Sequence, residues 1–167
     1  MAAALLAGTS RTRVDTGGVL LPRYSPVKAA EVFGVPASLY PGRVDLGLGR
    51  AGGPARDFPQ RARAPRVLLG MDGAEPEAGE RAQVPPVPPR MRLLGAGGRS
   101  AALAGEPGTD YAFAHFLDPR PARESLAACR TDFAERAGRP APGGVLAVRV
   151  ITAESEHRAE ALAHSDG

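Results

Sequence analysis

Residues 13–50 read RVDTGGVLLPRYSPVKAAEVFGVPASLYPGRVDLGLGR, an order of strand, glycine turn, helix and second strand. Residues 11–14 and 19–21 are strand-like, and Gly17-Gly18 interrupts them. Pro26 suits the first turn of a helix running to about residue 40, because the first N–H groups of a helix need no intrahelical acceptor. Pro41-Gly42 marks a turn, and residues 43–49 alternate into a strand. Val44, Leu46 and Leu48 share one face of that strand, with Gly47 and Gly49 opposite. Strands joined through a helix pair in parallel, so this run directs the chain toward an α/β sheet.

The remainder continues the alternation after a break. Residues 1–8 are helix-like and end at glycine, whereas residues 51–89 are dominated by glycine, proline and charge. PPVPP there reads as a stiff connector, and residues 67–69 form the one strong apolar cluster. A structureless stretch of about 40 residues is uncommon in a compact domain. Residues 91–94 read as a strand, GAGGRS as a glycine turn, 100–104 as a short helix and 111–116 as a strand. A helix follows from Asp118-Pro119 to residue 137, with Leu126 and Phe133 on one face. Residues 145–151 form the last strand and 152–163 the last helix, near a Ser155/Arg158 cap. The expected fold is α/β with a parallel sheet or barrel, in one domain over 1–167 with an irregular Gly/Pro-rich segment at 51–90.

Composition narrows the function classes. Only 5% of residues are aromatic and Trp is absent, so the core must come from Ala, Val and Leu. A net charge of +3 points toward nucleic acid, but the basic residues are scattered, without aromatic interleaving. Lys28 is the only lysine, a bias that reflects GC-rich coding rather than a phosphate-binding face. No nucleic-acid partner is expected. Cys129 stands alone, which excludes an intrachain disulfide and a cysteine metal cluster. The N-terminal MAAALLAGTS lacks the charged start of a signal peptide, and no stretch approaches the roughly 20 apolar residues of a membrane span. The expectation is a cytoplasmic protein with no membrane partner.

Gly17-Gly18 inside a strand pattern marks either a plain bulge or the close approach of a ligand. Arg50 ends a strand, where α/β folds bind ligands, and its planar fork suits phosphate; a solvated surface arginine is the other reading. GAGGRS, with Gly97 and Ser100, has the strand–glycine–helix form of a phosphate cradle, although it matches neither the dinucleotide fingerprint nor the P-loop. His115 reads as a packed strand residue. His157 and His164 lack partners at metal-ligand spacing, so no metal is expected.

In combined order, TSRTRVDTGGVLLPRYSPVKAAEVF, LYPGRVDLGLGRAGG, DFP at 57–59, PPVPPRMRLLG and YAFAHF resemble the luciferase-like (bacterial luciferase) flavin-dependent monooxygenases. The resemblance implies a TIM (β/α)8 barrel, of which this chain matches about the third to seventh strands. It implies reduced FMN as cofactor, and O2 and a small organic substrate, such as an aldehyde, as partners. A flavin reductase supplying reduced FMN, or a second copy of the chain, would complete the partner set. Gly17-Gly18 falls where the family has a non-prolyl cis peptide beside the flavin; Arg50, Gly97 and Ser100 fall where it holds the FMN phosphate. The matched pattern also departs from the family. Gly34 and Pro36 interrupt the helix after Pro26, GAGG replaces a serine-bearing turn, the stretch after Gly53 loses a helical insertion, and AGEPGTD has few helix formers. The family's first two strands and its eighth lie outside the match. These departures imply a second reading, a non-catalytic remnant acting through another chain.

Overall fold

A computed structural model describes residues 1–51, 56–71, 84–105, 109–137 and 144–165. Its centre is a parallel sheet of β1 (Val19–Leu20), β2 (Asp45–Gly49), β3 (Arg90–Gly95), β4 (Asp110–Ala114) and β5 (Val145–Ala147), ordered as in the sequence. Helices α2 (Pro26–Leu39), α3 (Phe58–Leu68), α4 (Gly98–Gly105) and α5 (Ala122–Ala137) make the crossovers, with α1 (Ala2–Ala7) before and α6 (Glu156–Ser165) after. Sequential order with no reversal is that of a (β/α) barrel segment, because a doubly wound sheet changes direction at a switch point. The fold is therefore α/β and consistent with a partial TIM barrel. Among the described residues no helix is long and apolar enough to cross a membrane.

The period of two sorts each strand. Leu46, Leu48, Met91, Leu93, Tyr111 and Phe113 are buried with Ala30, Phe33, Phe58, Ala101 and Cys129 in one core. Each fully buried Leu or Phe contributes roughly 1.5–3 kcal/mol. The opposite face carries Asp45, Gly47, Gly49, Arg92, Leu94, Ala112 and Ala114, which are mostly small or charged. That face is the lumen side of a barrel wall.

Several elements differ from the sequence expectation. Phe58–Leu68 is helical inside the stretch expected to be irregular. Its buried stripe, Phe58, Ala62, Pro65 and Leu68, has helical spacing but is partly written in Ala and Pro, which hides it. Arg61 fastens α3 to the end of β1, donating Nε and Nη2 to the Leu21 carbonyl at 3.0 and 2.8 Å. α2 runs unbroken through Gly34 and Pro36. The Ser38 hydroxyl donates to the Gly34 carbonyl at 2.8 Å, and Pro36 lies only a turn from the helix end.

Pairing across 11–14 is reduced to one bridge, Val14 to Val44. β4 stops at Ala114, so His115 sits in a turn with its N–H on the Phe113 carbonyl at 2.9 Å. β5 covers only three of the seven residues expected, and residues 148–150 carry no strand pairing. α6 begins at Glu156 rather than 152, with the Arg158 amide donating to Ser155 Oγ at 3.3 Å. Leu126 packs on the core as its spacing suggests, whereas the Phe133 side chain lies outside the described residues.

Candidate functional site

The Gly17-Gly18 turn has φ of +66° and +143°, values that side-chain-bearing residues avoid. No cis peptide occurs among the described residues, so the cis bond expected at this position is absent. The reversal is accomplished by positive φ at two glycines instead. The turn rests on β2: a Cβ added at Gly47 would lie 3.1 Å from the Gly18 nitrogen, and one at Gly18 would lie 3.5 Å from the Gly49 nitrogen. The glycines opposite Leu46 and Leu48 thus exist to let this backbone approach.

The second turn joins β3 to α4. A Cβ at Gly95 would come within 2.2 Å of Ser100 Cβ, so bare backbone there lets the start of α4 fold against the strand. Tyr111, fully buried on β4, donates its hydroxyl to the Gly95 and Gly97 carbonyls at 3.0 and 3.2 Å. Burial pushes its phenol up to about 12, so it remains a neutral donor. The Gly97 carbonyl also accepts the Ser100 and Ala101 amides at 3.0 and 3.2 Å, closing the first turn of α4.

These turns meet at the carboxyl end of the sheet, the end at which barrel folds bind ligands. A cavity of about 470 Å³ is lined there by Gly17, Gly18, Arg50 and Ser100, together with Gly49, Leu94 and Ala114. Gly97 does not line it; its carbonyl is engaged by Tyr111 and α4. Arg50 forms no hydrogen bond or ion pair among the described residues, which leaves its guanidinium available to an anion. Of the five residues expected from sequence, four share one space.

A charged network under the glycine turn was not read from the sequence. Asp45 is 2% exposed; Arg13 Nε donates to its Oδ2 at 3.1 Å, and the Arg13 and Arg92 guanidinium tips also pair with it. Arg92 Nη1 reaches Asp15 Oδ2 at 3.4 Å, and Asp15 Oδ1 accepts the Gly17 amide at 3.2 Å. Burial pushes the Asp45 carboxyl up, but hydrogen bonds and charges from Arg13 and Arg92 outweigh it and hold it below its ordinary value. Burial likewise pulls the Arg92 guanidinium down, and Asp45 and then Asp15 more than reverse this. Asp110, half-buried at the head of β4, is pushed up by burial. A smaller cavity of about 260 Å³ is lined by Asp15, Gly17, Gly47 and Arg92. The signal that would have found the network is alternation: Asp45 and Arg92 fall on the same strand face as the glycines.

A sequence model of luciferase-like monooxygenases matches residues 1–72. Over 95% of the chain, 34% of residues are identical to a luciferase-like monooxygenase of Escherichia coli. The chain belongs to the luciferase-like monooxygenase family. YvbT of Bacillus subtilis is also 34% identical over 95% of the chain. The crystal structure of apo-MsnO8 superposes with a TM-score of 0.79 at 35% identity, covering 95% of this chain. The chain spans about half the length of these relatives: 51% of the Escherichia coli protein, 51% of YvbT and 52% of the MsnO8 chain. Within this family member His115 is half-buried beyond β4, Cys129 is buried on α5, and His157 and His164 are exposed on α6. Among the described residues no three His, Cys, Asp or Glu side chains gather as a metal site.

Proposed function

We propose that the cavity between the Gly17-Gly18 turn, Arg50 and Ser100 is the FMN site of a luciferase-like monooxygenase. Reduced flavin and O2 would act there on an organic substrate such as an aldehyde. The observation that carries this reading is the convergence of an unpaired arginine, a helix start and bare glycine backbone on one space. The donor set fits the cofactor. Arg50 offers a two-pronged partner for a phosphate, the Ser100 hydroxyl adds a neutral donor, and the start of α4 adds a favourable helix dipole. Gly17 and Gly18 present backbone without side chains to a flat ring, while Leu20, Leu94 and Ala114 give apolar walls that exclude water. At about 470 Å³ the space is of the size usual for small-molecule sites. The bound flavin supplies the oxygen-activating redox chemistry, and this chain's residues bind, orient and desolvate it. We place the activity in the cytoplasm, with a flavin reductase as the source of reduced FMN.

The test is titration of the purified chain with FMN, read as quenching of flavin fluorescence and as a thermal shift. Arg50→Ala removes a charge-assisted pair worth about 1.5–3 kcal/mol, so FMN affinity should fall by roughly tenfold or more. A folded wild-type chain that neither quenches FMN nor gains thermal stability from it rules the reading out. A second reading, a non-catalytic chain acting through another subunit, is favoured by apolar side chains exposed beyond β5, where Val148 is 57% and Val150 74% exposed. Turnover of reduced flavin with O2 by a stable monomer would exclude it.

A further inference from the structure

The Gly17-Gly18 turn is held from below as well as shaped by its own glycines. Asp15 accepts the Gly17 amide with one carboxylate oxygen at 3.2 Å and faces Arg92 Nη1 with the other at 3.4 Å. Arg92 stands on β3, where it also pairs with the buried Asp45 of β2, itself held by Arg13. The chain of contacts therefore runs from the cavity wall through two strands of the sheet. Space for it is made by one residue: a Cβ at Gly47 would lie 2.5 Å from Asp15 Oδ1. None of these four charged groups lines the main cavity.

We propose that Asp15 is a positioning residue: anchored by Arg92, its carboxylate fixes the Gly17-Gly18 turn in the conformation that admits the flavin. The proposal rests on the FMN reading above and deepens it. A turn with two positive-φ glycines has many accessible conformations, since glycine tolerates both signs of φ. One hydrogen bond to the Gly17 amide, itself tied to the sheet by an ion pair, selects among them. Affinity for a ligand that needs one conformation falls by the fraction of time the turn spends elsewhere.

The experiment compares wild type, Asp15→Ala, Asp15→Asn and Gly47→Ala in the full chain. Three readouts are taken: FMN affinity by fluorescence quenching, thermal midpoint without FMN, and Gly17 amide exchange by NMR without FMN. Asp15→Ala should weaken FMN binding by about fivefold and speed Gly17 exchange by about tenfold, in line with loss of one hydrogen bond. Its thermal midpoint should move by less than about 3 °C, because the group is at the surface. Asp15→Asn keeps the acceptor for the Gly17 amide and should restore most of both effects. Gly47→Ala crowds both the carboxylate and the Gly17 and Gly18 nitrogens, so it should weaken FMN binding at least as much as Asp15→Ala. Unchanged Gly17 exchange in Asp15→Ala overturns the proposal, as does a loss of FMN binding that Asp15→Asn does not rescue. If wild type takes no FMN, the functional reading fails and the proposal's claim on flavin fails with it; the exchange arm then still decides whether Asp15 holds the turn.

Discussion

At the scale of single residues, Asp45 shows how charge is tolerated inside this sheet. Its carboxyl is 2% exposed, a setting that would ordinarily neutralise it, yet Arg13 and Arg92 keep it ionised. Its folded pKa lies below the unfolded value of about 3.9, so the stability it contributes is fully present above about pH 4 and is lost as pH falls through the folded pKa. Asp110 works in the opposite sense: burial raises its pKa, so its contribution is lost as pH rises through that value. Asp45→Asn leaves Arg92 without its buried counter-charge and should cost roughly 3 kcal/mol at neutral pH. In urea melts the mutant should also show a flatter loss of stability below pH 4 than wild type. Parallel acid limbs for the two proteins would refute the assignment.

At the scale of elements, the β3–α4 junction is where a glycine is needed for packing rather than for conformation. Gly95 has no room for a methyl group beside Ser100, whereas a Cβ at Gly97 meets nothing within 4 Å. Gly95→Ala should therefore lower stability by about 1–3 kcal/mol through overpacking and push Ser100 from the cavity wall. Gly97→Ala should be close to neutral in the same thermal melts. Equal effects at the two positions would show that the α4 start is not packed as described. Much of this junction was legible beforehand, since a strand, a glycine run and a helix are local patterns. α3 was not, because a stripe made of Phe58, Ala62 and Pro65 carries little hydrophobic contrast, and its burial depends on a neighbour, α2, that is distant in sequence.

At the scale of the molecule, β1 and β5 each pair on one side only among the described residues. On and just beyond β5, Leu146, Val148 and Val150 are 50%, 57% and 74% exposed; along α2, beside the β1 edge, Val32, Val35 and Leu39 are 54%, 54% and 69% exposed. Exposed strand edges flanked by apolar side chains promote association. The isolated 167-residue chain should accordingly show a concentration-dependent mass in sedimentation or size-exclusion runs. Leu146→Asp with Val150→Asp should lower that mass while leaving the far-UV spectrum unchanged. A wild-type chain that stays monomeric at high concentration would show that these edges do not drive assembly.

Alternation in residues 43–49, the glycines at 17 and 18, and Arg50 at a strand end were readable because each depends on a period or backbone preference within a few residues. The same local logic placed most helices and predicted a parallel sheet. What it could not supply was contact between strands. Asp15 and Arg92 are 77 residues apart, and Arg92 and Asp45 are 47 apart. Their meeting depends on the register that pairs Gly47 with Arg92 and on a missing Cβ that leaves room for a carboxylate. The convergence of Gly18, Arg50 and Ser100 on one cavity has the same origin, since parallel strands in sequential order bring their carboxyl ends to one rim. Local propensity names the parts; register and packing across the sheet decide which of them touch.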